Sequence, residues 1–422
     1  MNRLQLAALG AAAALAVLAC FAWFPRAAGP VAGAAPHTSH ASDASGTPAA
    51  AHADHAPLPR RIRAVALPLA RPAVAAGVAL VLMETLADFG VASYFGIQTF
   101  TTGIYKAWLS MDNRIAAAQL ATFLLGLVVL LLQLELRAQR RMRCVTGGAG
   151  RAGSAEAQPL RLRGWRCALA WLVCLLPVLM GFVAPVFFML RPLAADWSVL
   201  PWDRFLDWAL NSVRLGAITS VLAVIIAVAL AFAVRRHKES AVTRGVVQLA
   251  SLGYAVPGAV VVVGLLLPVG WVQQVRPEWG FAGLVTATAV GIVWAYLVRF
   301  CAVALQSMQS GYARIAPSLD DSARMLGTGA WGMLSRVHWP LLRRSTAAAA
   351  LLVFVDVMKE LPATMVLRPF NSDTLAVVAY QLARDERLGE AALPSLALVL
   401  VGLIPVIMLS RTLRAERPGT AR

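Results

Sequence analysis

The sequence predicts an all-α integral membrane protein, a polytopic helix bundle of about eight to nine transmembrane helices. Composition and patterning predict it. Of 422 residues, 59% are hydrophobic and 14% charged, where a soluble domain is nearer half apolar and a quarter charged. The mean hydropathy is +0.68. The apolar residues gather in runs of about 20, the length that crosses a hydrocarbon core. Such a composition excludes disorder across the whole chain. The net charge of +17 could fit nucleic-acid binding. The positive residues instead sit in short bursts between apolar runs, which fits a lipid bilayer and no nucleic acid.

Candidate spans fall at 5–24, 73–96, 115–136, 165–190, 211–234, 246–270, 281–305, 345–367 and 391–411. Cytoplasmic loops collect Lys and Arg. Segments 60–71, 137–166, 235–244, 306–344 and 411–422 hold 25 of them, and the alternating segments 97–114, 191–210, 271–280 and 368–390 hold 8. The first set is assigned to the cytoplasm, with the C-terminus inside. Five scattered cysteines form no CxxC pair and read as reduced structural residues.

The N-terminus breaks this alternation. Residues 1–24 look like a hydrophobic signal or anchor segment. Residues 25–59 form a His/Ala-rich low-complexity linker, and His37, His40, His52 and His55 make two HxxH pairs. These are a weak metal-catching signal set against a plain linker. Either reading of 1–24 puts 25–59 outside, yet Arg60, Arg61 and Arg63 belong inside with no span between. Either 5–24 is not a normal span or a stretch of chain is missing here. A Gly/Ala-rich linker at 144–160 separates a first unit, 60–143, from a second, 161–422.

Those units are related. Aligning Pro68 with Pro340 needs no gap for about 50 residues and superposes Glu84 on Asp356 and Asp88 on Glu360. Each copy is a basic segment ending in Pro, a span with acids four residues apart, an outer loop and a last span. The second copy has four further spans before its basic loop. The first has at most one, so it is expected to be truncated.

The longest inner loop runs from Gln306 to Leu342. Pro317 and Ser318 open a helix, and Asp320 and Asp321 suit its positive first turn. A helix over Leu319–Leu326 is broken by Gly327-Thr328-Gly329. A second amphipathic helix, Ala330–His338, is expected to end before Pro340. His237 and His338 sit among basic residues and read as solvated. Tyr94, Phe95, Tyr105 and Trp108 read as an interfacial belt.

Asp321-Ser322-Ala323-x3-Gly327-x9-Val337-x-Trp339-Pro340 resembles the EAA loop of ABC importer permeases, E-A-A-x3-G-x9-I-x-L-P. It departs by Asp for Glu, Ser for Ala and Trp for Leu. Asn211-Ser212-x2-Leu215-Gly216-x3-Ser220 and Tyr254-Ala255-Val256-Pro257-Gly258 support it. Met83–Gly90, Tyr94-Phe95-Gly96, Thr99–Tyr105 and Lys359–Thr364 resemble the fused-half ferric iron(III) transport permeases. The resemblance covers roughly 60–143 and 161–415, with no counterpart found for 1–59.

The resemblance implies a type I ABC importer permease fold in the bacterial cytoplasmic (inner) membrane. It implies a loop, 315–340, that couples to a cytoplasmic ATP-binding subunit, in two copies, through Asp321, Ser322, Ala323, Gly327, Val337 and Pro340. A periplasmic substrate-binding protein is the other implied partner. There is no G-x4-G-K-[S/T] loop, so the chain is read as a transport subunit without its own ATPase or cofactor; ATP and Mg belong to the partner.

Acids inside spans are costly and read as functional. Glu84 and Asp88 share one helix face, as do Asp356 and Glu360. Carboxylate oxygen suits a hard cation such as ferric iron. These four are candidates for the substrate pathway. The structural alternative is that Lys359 neutralises the second pair and both pairs tie helices together. Thiamine, polyamine or phosphonate cargoes, a proton-coupled secondary transporter and a non-functional remnant stay open.

Overall fold

The computed structural model describes residues 67–147, 164–195, 197–198, 200–237 and 240–415. The chain divides into Met1–Pro68 and Leu69–Arg422. The signal-like segment and His37, His40, His52 and His55 lie outside the described residues.

The described residues are helical throughout, with no strand among them. The first copy holds α1 (Leu67–Ala87), α2 (Gly90–Tyr94), α3 (Phe100–Tyr105), which runs on as a π turn, and α4 (Arg114–Gly147). α4 thus extends three residues past the expected start of the linker. After it come α5 (Trp165–Val178) and α6 (Ala184–Ala195), joined by another π turn, then α7 (Trp202–Arg236), α8 (Ala241–Leu252), α9 (Gly258–Val275), α10 (Phe281–Thr286) and α11 (Ala289–Ala313). The segment between α11 and α14 holds α12 (Pro317–Met325) and α13 (Ala330–Gly332). The second copy closes with α14 (Trp339–Met358), α15 (Pro362–Leu367), α16 (Leu375–Arg384) and α17 (Leu388–Ala415).

Among the described residues six helices are long and apolar enough to cross a membrane, fewer than expected. Two expected spans are interrupted. The span at 73–96 stops at Ala87 and resumes at Gly90, and that at 345–367 stops at Met358 and resumes at Pro362. Pro362 has no N–H to donate to a continuing helix, so it opens a new helix at its first position instead of extending the old one. The span at 246–270 also breaks, because Pro257 ends the 3-10 turn Gly253–Ala255 and α9 restarts at Gly258. In contrast, Pro340 does not end the second loop helix. It sits in the first turn of α14, where its missing N–H is harmless, and the chain passes helically from Ala330 through the π turn Met333–His338 into α14.

The repeat is visible as structure. Each copy is a helix, a break at the aligned acid (Asp88 or Glu360), a short helix, a loop, and a further helix begun at a Thr, Thr99 or Thr374. α7, α11 and α14 pack on one another as the principal core. The buried face of α7 is built from small residues, among them Ser212, Gly216, Thr219, Ser220, Ala223, Ala227 and Ala231. Their three- and four-residue spacing lets neighbouring backbones approach closely. A second core joins the copies, packing Met83, Phe89, Tyr105 and Leu124 with Ala259 and Val263 of α9 and Tyr380 of α16. The apolar window within Cys167–Ala195 has no buried residue, as suits a helix surrounded by lipid.

The turn before α9 rests directly on α11. A Cβ at Gly253 would collide with the backbone carbonyl of Val298, which cannot swing aside as a side chain can. Overpacking of this kind costs about 1–3 kcal/mol. Gly253→Ala is expected to lower the thermal unfolding midpoint in detergent, and an unchanged midpoint would refute this close approach.

Candidate functional site

Two places carry the polar residues that the apolar composition makes conspicuous: the loop between α11 and α14, and a cavity between the copies.

In the loop, α12 ends in a Schellman turn. Gly327 takes the left-handed conformation with φ +77°. Its N–H donates to the Arg324 carbonyl at 2.9 Å, and the Thr328 N–H donates to that of Ala323 at 3.1 Å. Asp321 and Ser322 are exposed, Ala323 is buried beneath them, Val337 is half-buried and Pro340 is exposed. The apolar side chains beside the turn project outward: Met325 is 88% exposed, Leu326 84% and Trp331 76%.

Behind this knob lies an anchor that the sequence reading did not identify. Asp320 lies in the first turn of α12, as expected, and is buried there. Arg235, at the end of α7, donates from Nε to Asp320 Oδ2 at 2.7 Å. It also donates from Nη2 to the carbonyls of Ile315 at 3.0 Å and Ala316 at 3.2 Å. His338 Nε2 stands 3.0 Å from Asp320 Oδ1. Its Nδ1 lies 3.3 Å from the Tyr312 hydroxyl. His338 is fully buried, which corrects its reading as solvated; of these two histidines His237 is the exposed one. Burial pushes the Asp320 carboxyl up, but the hydrogen bonds and charges of Arg235 and His338 outweigh it and hold the group below the usual carboxylate range.

All four candidate acids line one cavity of about 600 Å³. They do not play one role. Glu360 is buried and saturated. It accepts from the N–H groups of Ala363 at 3.0 Å and Thr364 at 3.1 Å, capping α15. It also takes Arg299 Nη1 at 2.5 Å. Asp356 pairs with Lys359 Nζ at 2.9 Å, the neutralising contact of the structural alternative. Glu84 is exposed and accepts from the Tyr254 hydroxyl at 3.0 Å. Asp88 is half-buried, and among the described residues its carboxylate has no ion pair. Four carboxylates against Arg299 and Lys359 leave a formal excess of two negative charges. They do not converge as a chelating set: among the described residues no group of three His, Cys, Asp or Glu is placed to hold a metal.

Arg299 was legible and overlooked, since an Arg within a span is itself a functional signal. The Pro257-Gly258 pair also gains a reason. A Cβ at Gly258 would meet Glu360 Oε1 at 2.6 Å and Arg299 Nη1 at 3.2 Å, so the glycine leaves room for their ion pair. Of the outer aromatics, Tyr94 and Phe95 are exposed and Trp108 half-buried, but Tyr105 is buried between the copies and does not belong to a belt.

Comparison with known proteins follows the same lines. The family described as "Binding-protein-dependent transport system inner membrane component" matches residues 45–143. This match reaches into the segment 1–59 for which no counterpart was expected. The chain is 25% identical over 82% of its length to the Fe(3+)-transport system permease protein FbpB 2 of Haemophilus influenzae, covering 66% of that protein. It is 25% identical over 86% of its length to the probable ABC transporter permease protein y4fN of Sinorhizobium fredii, covering 65%. It is 30% identical over 31% of its length to the putative 2-aminoethylphosphonate transport system permease protein PhnV of Salmonella typhimurium, covering 49%. The chain thus spans from about half to just under two thirds of these relatives' own lengths.

The Asp320 anchor has a pH signature. Because the folded carboxyl is held low, its stabilisation is complete above the unfolded value of about 3.9 and is lost as pH falls through the lower folded value. Hydrogen exchange over 315–325 is expected to lose protection in that acid range. Asp320→Asn is expected to abolish that step and to lower protection at neutral pH. Protection flat with pH in both proteins would separate Asp320 from the anchoring of the loop.

Proposed function

We propose, for a chain that belongs with the inner-membrane permeases of ABC importers, that it is the membrane subunit through which ferric iron passes after delivery by a periplasmic binding protein. Two cytoplasmic ATP-binding subunits, which carry ATP and Mg, would grip the inner loops of the assembled transporter. The observation that carries this reading is the loop itself: an exposed apolar knob on a left-handed glycine, backed by an ionic anchor to α7. A knob so anchored passes force from a partner into the bundle instead of folding away.

The cavity between the copies supports a cationic cargo. Its formal charge is negative, and Glu84 and Asp88 keep oxygens outside any ion pair among the described residues. The likeness to the Fe(3+) permease of Haemophilus influenzae points the same way. Weak, non-chelating contact suits a permease, because cargo held tightly would not leave. An aminoalkylphosphonate is the second reading, favoured by the likeness to the Salmonella protein. It fares worse on charge, since both cavity cations are already paired with carboxylates.

Two variants test the parts separately in cells expressing the assembled transporter. Glu84→Ala with Asp88→Ala is expected to bring iron uptake close to background while leaving membrane insertion intact; normal uptake removes the pathway role. Gly327→Pro forces φ to about −65° where +77° is needed. It is expected to cut transport-linked ATP hydrolysis by roughly tenfold or more. Unchanged ATPase stimulation would end the docking reading.

A further inference from the structure

The repeat places two tyrosines at equivalent positions. In the first copy Thr99 caps α3, and Tyr105 follows six residues on. In the second Thr374 precedes α16, and Tyr380 follows six residues on. The outer segment of the second copy is three residues longer, 34 from Pro340 to Thr374 against 31 from Pro68 to Thr99. Allowing for this, the two tyrosines superpose.

Both side chains are buried, and a buried tyrosine hydroxyl needs a partner. Each finds it in the other copy. The Tyr105 hydroxyl donates to the carbonyl of Pro362, the first residue of α15. The Tyr380 hydroxyl lies 2.7 Å from Ser93 Oγ in α2. The two bonds cross the seam in opposite directions. Between them both rings rest on Phe89, with centroids 4.3 Å and 5.6 Å from it. Phe89, Pro362 and Tyr380 are also walls of the acidic cavity.

Apolar packing alone would hold this seam without fixing its register, because hydrophobic contact is non-directional. With the Tyr254–Glu84 bond, which also joins the copies at 3.0 Å, these two directional bonds favour one closed arrangement, and all must break when the copies part. Phenylalanine would fill the same space at either position, so the hydroxyls are the feature that packing does not require.

We propose that Tyr105 and Tyr380 form a reciprocal latch that holds the seam shut beside the cavity and sets how often the cavity opens to solution. The latch rests on the reading of that cavity as a transport path, but its test needs neither cargo nor ATP-binding subunit. In a chain freed of its five cysteines, Ser395→Cys places a thiol on the cavity wall. Phe370→Cys, at a position 98% exposed, serves as an open control. The rate of modification by a membrane-impermeant maleimide is followed in vesicles of both orientations.

A single hydrogen bond is worth roughly a factor of five in such an equilibrium. Tyr105→Phe and Tyr380→Phe are each expected to speed modification of Ser395→Cys about fivefold, and together about 25-fold, with the control rate unchanged. Ser93→Ala keeps both tyrosines and is expected to match Tyr380→Phe, which settles the matter should a tyrosine variant fold poorly. Unchanged rates in the double variant and in Ser93→Ala overturn the latch. A parent thiol that reacts as fast as the control also overturns it, because the seam would then stand open. Should the latch variants behave as expected while ATP and an ATP-binding subunit never alter Ser395→Cys reactivity, the transport reading fails and the latch survives.

Discussion

The Glu360 carboxylate is the interaction on which the centre of the molecule depends. It sits in a break between two helices of an apolar bundle, where an isolated charge would be intolerable. Four groups make it tolerable: two buried N–H groups at the start of α15, the Thr364 hydroxyl and the guanidinium of Arg299. The arrangement is self-consistent in both directions. Without the carboxylate the end of α15 would bury unmatched donors, and Arg299 would be a lone cation inside a span. Removing one partner of such a pair costs about 3–5 kcal/mol, mostly through the charge left behind. Gly258 is part of the same constraint, since its missing side chain is the space the pair occupies.

This constraint also explains why two similar copies are not interchangeable. Both break at the aligned acid, but only the second acid is saturated. At the first break the Asp88 backbone carbonyl is taken by Thr101 Oγ1 at 2.7 Å, leaving the carboxylate uncommitted. One copy therefore uses its acid to hold the fold, and the other leaves its acid facing the cavity. Breaks of this kind, paired across a pseudo-symmetric seam, are where transport proteins expose backbone and carboxylates to a passing solute without exposing them to lipid.

What could be read from the sequence was local in nature. The Gly327 turn was legible because a Schellman ending is a property of six consecutive residues. The acid pairs were legible because helix spacing puts positions i and i+4 on one face. The breaks were half legible: Pro362 and Pro257 announce them, but apolar runs on either side invite a continuous span. The partners were not legible. Arg299 meets Glu360 across 61 positions, Arg235 meets Asp320 across 85, and Tyr105 meets Pro362 across 257. No periodicity reports such a meeting. His338 shows the cost of judging by neighbours in sequence, since it lies between basic residues in the chain and between Tyr312 and Asp320 in space.

The loop and the seam form one mechanical problem on the proposed reading. Arg235 ties Asp320 and the carbonyls after α11 to the end of α7, while His338 ties the same aspartate to the turn that opens α14. A force on the knob at Met325, Leu326 and Trp331 therefore meets the ends of the three helices that form the principal core. Those helices interlock through small residues and a dense interior, which transmits displacement better than it absorbs it. α14 runs on to the break at Glu360. Displacement along it arrives at the seam where Tyr105 and Tyr380 cross. An ion pair at one end and two tyrosine hydroxyls near the other leave the helix between them as the stiff element, so motion is directed to the seam.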